Sequence, residues 1–81
     1  MSTIDNVTEI LEEFCPGVDL DSCTTLIDDH ILGSLTMVAL VAELEDSFDI
    51  EIPPVEIVAS NFNSAAAISA LVERLSDEYD D

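Results

Sequence analysis

Ser34 is the side chain whose type and position best suit covalent chemistry in this sequence. It follows Leu32-Gly33 and precedes a strongly apolar segment, so its hydroxyl stands at the expected start of a helix. Three interpretations are open: a plain N-cap, a catalytic nucleophile, or an acceptor of a phosphate-linked group. A nucleophile needs a base and an oxyanion hole, yet the single histidine is His30, four residues earlier, and no Gly-x-Ser-x-Gly elbow is present. A phosphodiester is favoured here because a helix N-terminus offers N–H groups and the positive end of the helix dipole.

The composition predicts one small, acidic, packed domain over residues 1–81, with a frayed tail at 77–81. The chain has 1 lysine or arginine against 19 carboxylates, a formal net charge of −18, and 48% hydrophobic residues. That apolar content is too high for a disordered tail, and the length allows a single core. The charge repels nucleic acid and anionic membranes and favours partners with basic surfaces. A cytoplasmic protein without a membrane span is expected, because no apolar run approaches roughly 20 residues and residues 1–5 do not resemble a signal peptide.

Hydrophobic spacing predicts an all-α fold. The first helix should end at Pro16-Gly17, and a long loop then reaches Gly33; loops of this length in small domains are usually functional. Pro53-Pro54 should prevent the second helix from continuing. We therefore expect a small helical bundle of three main helices and one short helix, with a long first loop. The expected elements are residues 3–14, 34–48, a short turn at 55–59, and a last helix capped by Ser64.

The second helix has two apolar faces. One is an ordinary core stripe, formed by Met37, Leu40, Val41, Leu44 and Phe48. The opposite face, here named the recognition strip, comprises Leu35, Val38, Ala39, Ala42, Glu45 and Asp46. A central helix buried on both sides is one interpretation. An exposed apolar strip rimmed with acid, against which partners dock, is favoured because a domain of this size encloses few helices on all sides.

These residues resemble the acyl and peptidyl carrier proteins that bear phosphopantetheine. Their pattern is an acidic loop, Asp-Ser-Leu at the attachment site, and a helix ending in Leu-Glu. The corresponding residues here are 26–35, then Val38, Leu40 and Glu43-Leu44-Glu45. Within the family, the chain is most similar to the D-alanyl carrier proteins and related discrete aminoacyl carriers. That similarity lies in residues 48–56, which include Pro53-Pro54, and in Asn61-Phe62-Asn63-Ser64 before the last helix.

The resemblance implies a carrier rather than an enzyme, with 4′-phosphopantetheine transferred from coenzyme A to Ser34 by a phosphopantetheinyl transferase. The thiol of this arm would hold cargo as a thioester, and the recognition strip would be the surface that partners read. The expected partners are the transferase, a discrete adenylation enzyme, and an acyltransferase or synthase with a basic and apolar docking patch. A monomer is expected. The sequence departs from the family pattern at Gly33, usually aspartate, and at His30, usually glycine.

The subfamily resemblance implies an aminoacyl cargo, and two pathways remain open. A natural-product assembly line of the macrolactam type is favoured. The absence of lysine and the abundance of Ala, Val and Asp suggest a GC-rich genome, and the change before Ser34 suggests a specialised partner set. D-alanylation of teichoic acids is the main alternative. A fatty-acid-type carrier and an acidic protein that mimics nucleic acid are lesser alternatives.

The remaining reactive residues predict no further site. Cys15 and Cys23 are expected to be reduced, with Cys15 acting as a small apolar residue at the end of the first helix. Together with His30 they match no zinc-binding spacing, and the acidic loop lacks the glycine and glutamate of an EF-hand. Phe62 is expected to anchor the core.

Overall fold

The computed structural model describes residues 3–20, 22–29 and 31–79, apart from the side chains of Ser34, Glu78 and Tyr79. Within these ranges the structure is helical and contains no strand, which confirms the expected all-α bundle of three long helices and one short one. The helices are α1 (Thr3–Phe14), α2 (Ser34–Phe48), α3 (Ala59–Phe62) and α4 (Ala65–Tyr79), and a 3₁₀ turn covers Pro54–Glu56. None of the described helices combines the length and the apolarity needed to cross a membrane.

Helix α1 ends where the sequence predicts. Its core face is formed around Val7 and Leu11, which are fully buried. Gly17 then adopts φ +84°, a left-handed backbone conformation that costs glycine little and most other residues much more. The chain therefore turns away from α1 and enters the long loop.

Helix α2 lies with its core stripe against the rest of the bundle and ends at a left-handed residue. Leu40 and Leu44 are fully buried, and burial of such a side chain contributes about 1.5–3 kcal/mol. Asp49 ends the helix with φ 53° and ψ 50°, and its N–H donates to the Glu45 carbonyl. Aspartate is one of the few residues that tolerates this conformation. The direction of the following segment is set here, because Ile50 is buried immediately afterwards.

The segment between α2 and α4 differs in detail from the expected single turn at residues 55–59. It forms two short elements, the 3₁₀ turn Pro54–Glu56 and helix α3, separated by extended backbone at Val58. The physical reason is that Pro54 favours the first position of a turn and Phe62, fully buried, anchors a second one further on. Phe62 is therefore a core anchor, as predicted.

Helix α4 begins with the predicted cap. The Ser64 hydroxyl oxygen accepts a hydrogen bond from the Ala67 N–H at 3.0 Å. The helix continues to Tyr79, through the start of the expected frayed tail, while residues 80 and 81 lie outside the described residues. It packs on α1, α2 and α3 and supplies several fully buried side chains, including Ile68 and Val72.

The long first loop is attached to the core by its apolar side chains. Leu20, Leu26 and Leu32 are buried, and Ile27 and Ile31 pack against the core while partly exposed. These five side chains hold the loop against the bundle. Hydrophobic packing against the core therefore fixes the segment that leads into α2.

Candidate functional site

Ser34 is the first residue of α2, and Gly33 is the N-cap residue, with φ −81° and ψ 173°. The first backbone hydrogen bond of the helix runs from the Met37 N–H to the Gly33 carbonyl at 2.8 Å. The N–H groups of the first turn have no carbonyl within the helix to bind, and they carry the positive end of its dipole. Ser34 therefore lies where a phosphodiester is stabilised, although the plain N-cap position belongs to Gly33.

Gly33 is not required by the backbone at its position. Its φ is ordinary for any residue, and a Cβ atom built there meets nothing within 4 Å. Aspartate, the usual residue before the attachment serine, would therefore fit without strain. The departure removes a carboxylate from the approach to Ser34 but changes no fold requirement. His30, the other departure, lies outside the described residues.

The loop before Ser34 is held by Asn63, a role that the sequence did not predict. The Asn63 Oδ1 atom accepts hydrogen bonds from the Ile27 N–H at 2.9 Å and from the Asp28 N–H at 3.1 Å. Its backbone carbonyl accepts a third from the Leu26 N–H at 2.9 Å. Three successive amides of the loop are thus bound to the residue that follows α3. Asn63 acts on the site through the loop, as a positioning residue.

The recognition strip is exposed, as the favoured interpretation of α2 predicts. Leu35 is 88% exposed and Val38 is 69% exposed, values far above those of the core stripe on the opposite side. Ala39, Ala42 and Asp46 are exposed too. Isolated apolar side chains on a surface are ordinary, whereas a contiguous exposed apolar strip is less common on a protein of this size. Helix α2 is therefore not enclosed on both sides.

Glu45, the sixth member of the strip, has a structural role as well. Its side chain is half-buried, and its Oε2 atom accepts a hydrogen bond from the Ile52 N–H at 2.8 Å. Its backbone carbonyl accepts from the N–H groups of Asp49 and Ile50. Glu45 therefore closes the end of α2 and fixes the start of the next segment, and its carboxylate is held in one place.

A groove of about 690 Å³ runs beside the strip, within the size range of small-molecule sites. We name it the α2 groove; its walls are formed by Ile27, Leu32, Gly33, Met37, Val38, Val41, Ala42, Glu45, Ile57, Val58 and Ala59. It shares Val38, Ala42 and Glu45 with the recognition strip. The far wall, Ile57 to Ala59, was missed by the sequence reasoning. The sequence feature that could have indicated this wall is the apolar run after Pro53-Pro54. That run has neither helical nor strand periodicity, so it predicts no defined face.

The single arginine of the chain binds the turn that precedes the far wall of the α2 groove. Arg74 on α4 forms a two-pronged ion pair with Glu56 in the 3₁₀ turn, at 2.8 and 2.9 Å. The Asn61 amide also donates to a Glu56 carboxylate oxygen, at 3.1 Å. Hydrogen bonding from Arg74 lowers the pKa of Glu56 below its ordinary value. The pair ties the far wall of the α2 groove to α4.

The cysteines behave as structural residues. Both are free thiols, and the buried Cys15 contacts the Leu11 carbonyl with its Sγ atom at 3.2 Å. Burial, with a smaller effect of Cys23, raises the pKa of the Cys15 thiol. Cys15 is therefore the small apolar residue expected at the end of α1. In the parts of the chain that the structure describes, no group of three or more histidine, cysteine or carboxylate side chains is placed to hold a metal ion.

Comparison with known proteins identifies the class of protein. The family described as phosphopantetheine attachment site matches residues 5–75. The chain therefore belongs to this family of carrier proteins. They bear covalent 4′-phosphopantetheine and serve enzymes without being catalysts themselves. The resemblance read from the sequence is confirmed.

Similar proteins include D-alanyl carrier proteins and a protein of antibiotic biosynthesis. The D-alanyl carrier proteins of Lactococcus lactis subsp. cremoris strain MG1363 and subsp. lactis strain IL1403 are each 37% identical over 67 residues. For the former, the match covers 83% of this chain and 80% of the relative. The lincomycin biosynthesis protein LmbN of Streptomyces lincolnensis is 36% identical over 81 residues, covering 96% of this chain and 29% of that protein.

Proposed function

We propose that the chain is an aminoacyl carrier in which Ser34 holds 4′-phosphopantetheine. The observation that carries the proposal is the position of Ser34 as the first residue of α2, at the head of an exposed apolar strip. The group fits there, because the helix N-terminus favours its phosphodiester and the Gly33 side is open. When bound, the arm supplies a thiol that carries cargo as a thioester.

The residues of this chain hold the arm and present its cargo to partner enzymes. They do not perform the acyl transfer. The recognition strip (Leu35, Val38, Ala39, Ala42, Glu45 and Asp46) gives partners an apolar contact with an acidic end. A phosphopantetheinyl transferase, a discrete adenylation enzyme and an acyltransferase or synthase would each dock there through a basic and apolar patch. A net charge of −18 speeds such encounters and makes them sensitive to salt. The carrier is proposed to act as a cytoplasmic monomer.

We place the carrier in a natural-product pathway of the polyketide or nonribosomal type, where it passes an aminoacyl unit to a synthase, as in macrolactam assembly. The name of LmbN, a protein of lincomycin biosynthesis, supports an antibiotic pathway. The names of the lactococcal relatives support an amino acid as cargo. They equally favour the second candidate, a D-alanyl carrier for teichoic acids.

Intact-mass measurement tests the attachment site. Wild type incubated with coenzyme A and a broad-specificity phosphopantetheinyl transferase should gain one phosphopantetheine mass, and Ser34→Ala should gain none. Ser47→Ala, at the other end of the same helix, is the matched control and should be modified like wild type. An unmodified wild type, or a modified Ser34→Ala, would contradict the proposal.

Loading of the holo-protein separates the candidate pathways. Adenylation enzymes of different specificity are incubated with the holo-protein, ATP and labelled amino or fatty acids, and the label bound as thioester is measured. Loading confined to D-alanine favours the teichoic acid alternative, and loading by other amino acids favours the assembly-line carrier. Loading by fatty acids alone would overturn the aminoacyl proposal.

A further inference from the structure

The α2 groove is apolar along its length except for one side chain. Among the described residues that line it, Glu45 is the single ionisable one, and the other walls are aliphatic, methionine or glycine. The groove begins at Gly33, next to the attachment residue, and reaches Glu45 near the end of α2. A purely hydrocarbon cargo would have no use for a carboxylate in this position, since burying a charge against an apolar group is unfavourable.

The Glu45 carboxylate is fixed, yet it retains capacity for a further hydrogen bond. Its Oε2 atom accepts from the Ile52 N–H at 2.8 Å, which sets the orientation of the side chain at the end of the helix. A carboxylate has about four lone-pair sites, so one backbone donor leaves room for a ligand. A cationic donor would make the stronger, charge-assisted type of bond with it.

The distance from Ser34 to Glu45 matches the reach of the arm. The two residues are eleven positions apart on one helix, which corresponds to roughly 17 Å along its axis at 1.5 Å per residue. The chain of bonds from the phosphate of 4′-phosphopantetheine to its sulfur is as long as about five extended residues, or roughly 17 Å. An arm laid along the groove therefore brings the thioester end to Glu45.

We infer that the α2 groove receives the arm of this same chain and that Glu45 binds the ammonium group of the aminoacyl cargo at its end. This inference rests on the proposed function and adds the part of the carrier that would favour its cargo: the Glu45 carboxylate selects an amino acid with a free amine over a plain acyl group. The occupant follows from the groove's continuity with the attachment residue and from the charge at its far end. A neutral acyl chain of the same size leaves the carboxylate without its ligand.

The test compares two cargoes that differ in one amine. Wild type is loaded at Ser34 with alanyl-amino-coenzyme A, in which an amide replaces the labile thioester, or with the propionyl counterpart, and loading is confirmed by mass. The pKa of the carbon-13-labelled alanyl amine is then measured by NMR in wild type and in Glu45→Gln. Glutamine can still accept from the Ile52 N–H through its amide oxygen. Glu43→Gln, the same change two residues earlier and outside the groove, is the matched control.

The expected result is an amine pKa about 0.7 unit higher in wild type than in Glu45→Gln, the shift that a unit charge at roughly 4 Å produces even in bulk water. Glu43→Gln should lower the amine pKa by less than Glu45→Gln does. In the wild type alone, the backbone amides of Ala42 and Val58 should shift more with the alanyl arm than with the propionyl arm, and this difference should follow the titration of the amine.

Other outcomes overturn the inference. A Glu45→Gln effect no larger than that of Glu43→Gln, or groove amides that do not distinguish the two cargoes, would show that the amine does not reach Glu45. In that case the mass gain at Ser34 still stands, and the carrier function survives. If wild type gains no mass at all, the proposed function and this inference fall together.

Discussion

Replacing Asn63 with alanine should loosen the loop that leads into Ser34. The substitution removes the Oδ1 acceptor for the Ile27 N–H at 2.9 Å and for the Asp28 N–H at 3.1 Å. A hydrogen bond of this kind contributes about 1 kcal/mol net, and less where water can replace the partner. Asp28 is exposed whereas Ile27 is partly buried, so the expected cost is about 1–2 kcal/mol.

For a domain of this size, each kcal/mol changes the melting temperature by roughly 4–8 °C, so a loss of about 1.5 kcal/mol lowers it by roughly 6–12 °C. Thermal unfolding followed by circular dichroism measures this. Hydrogen exchange should show faster exchange at the Ile27 and Asp28 amides, because they lose their acceptor. Phosphopantetheinylation of Ser34 should slow, because the transferase meets a less ordered loop.

Asn61→Ala is the matched control. Asn61 lies within α3, two residues before Asn63, and its replacement removes the side-chain bonds to the Glu56 carbonyl at 2.8 Å and to the Glu56 carboxylate at 3.1 Å. It should lower stability without selectively exposing Ile27 and Asp28. The reasoning is refuted if Asn63→Ala leaves both amides as protected as in wild type, or if the two variants change exchange in the same pattern.

Two further predictions concern stability. Leu44→Ala should cost about 2–5 kcal/mol because Leu44 is fully buried, whereas Leu35→Ala, on the exposed side of the same helix, should stay within about 0.5 kcal/mol. Denaturant unfolding of both variants checks this, and equal costs would contradict the assignment of the two faces. Arg74 lowers the pKa of Glu56 below the ordinary value of 4.5. The stability that the Glu56–Arg74 ion pair adds is therefore fully present above the unfolded-state pKa of Glu56 and is lost as the pH falls through its lower folded-state pKa. The destabilisation by Glu56→Gln should therefore shrink on acidification through that range, and a loss independent of pH would argue against the ion pair.

The long helices, and the position of Ser34 at the start of one of them, were predictable because they depend on local and periodic signals. The spacing of apolar residues, together with the stop at Pro16-Gly17, predicted α1 and α2 at about the bounds observed, and the Ser64 cap of α4 followed from its position before an apolar run. The exposure of the recognition strip followed from a simple size argument: so small a domain encloses few helices on all sides. Its exposure at Leu35 and Val38 agrees.

The contacts that complete the site were not predictable, because they join residues distant in sequence through polar atoms. Asn63 binds amides 35 and 36 positions earlier, and Arg74 reaches Glu56 across 18 positions. Neither contact belongs to a periodic pattern that a single sequence reveals. The groove has the same origin, since its two walls come from α2 and from the irregular stretch before α3.

The placement of Arg74 bears on how the carrier selects its partners. Helix α2 contains no lysine or arginine, and the one arginine of the chain is paired with Glu56, the residue before the far groove wall. The recognition strip thus keeps its acidic end, while the only lysine or arginine side chain supports the wall against which we place the arm. Like-charged surfaces repel and basic ones are attracted before contact, so selection among enzymes begins at the encounter. Because exposed charges are screened within about 8 Å at physiological ionic strength, that attraction remains reversible, which a carrier visiting several enzymes in turn requires.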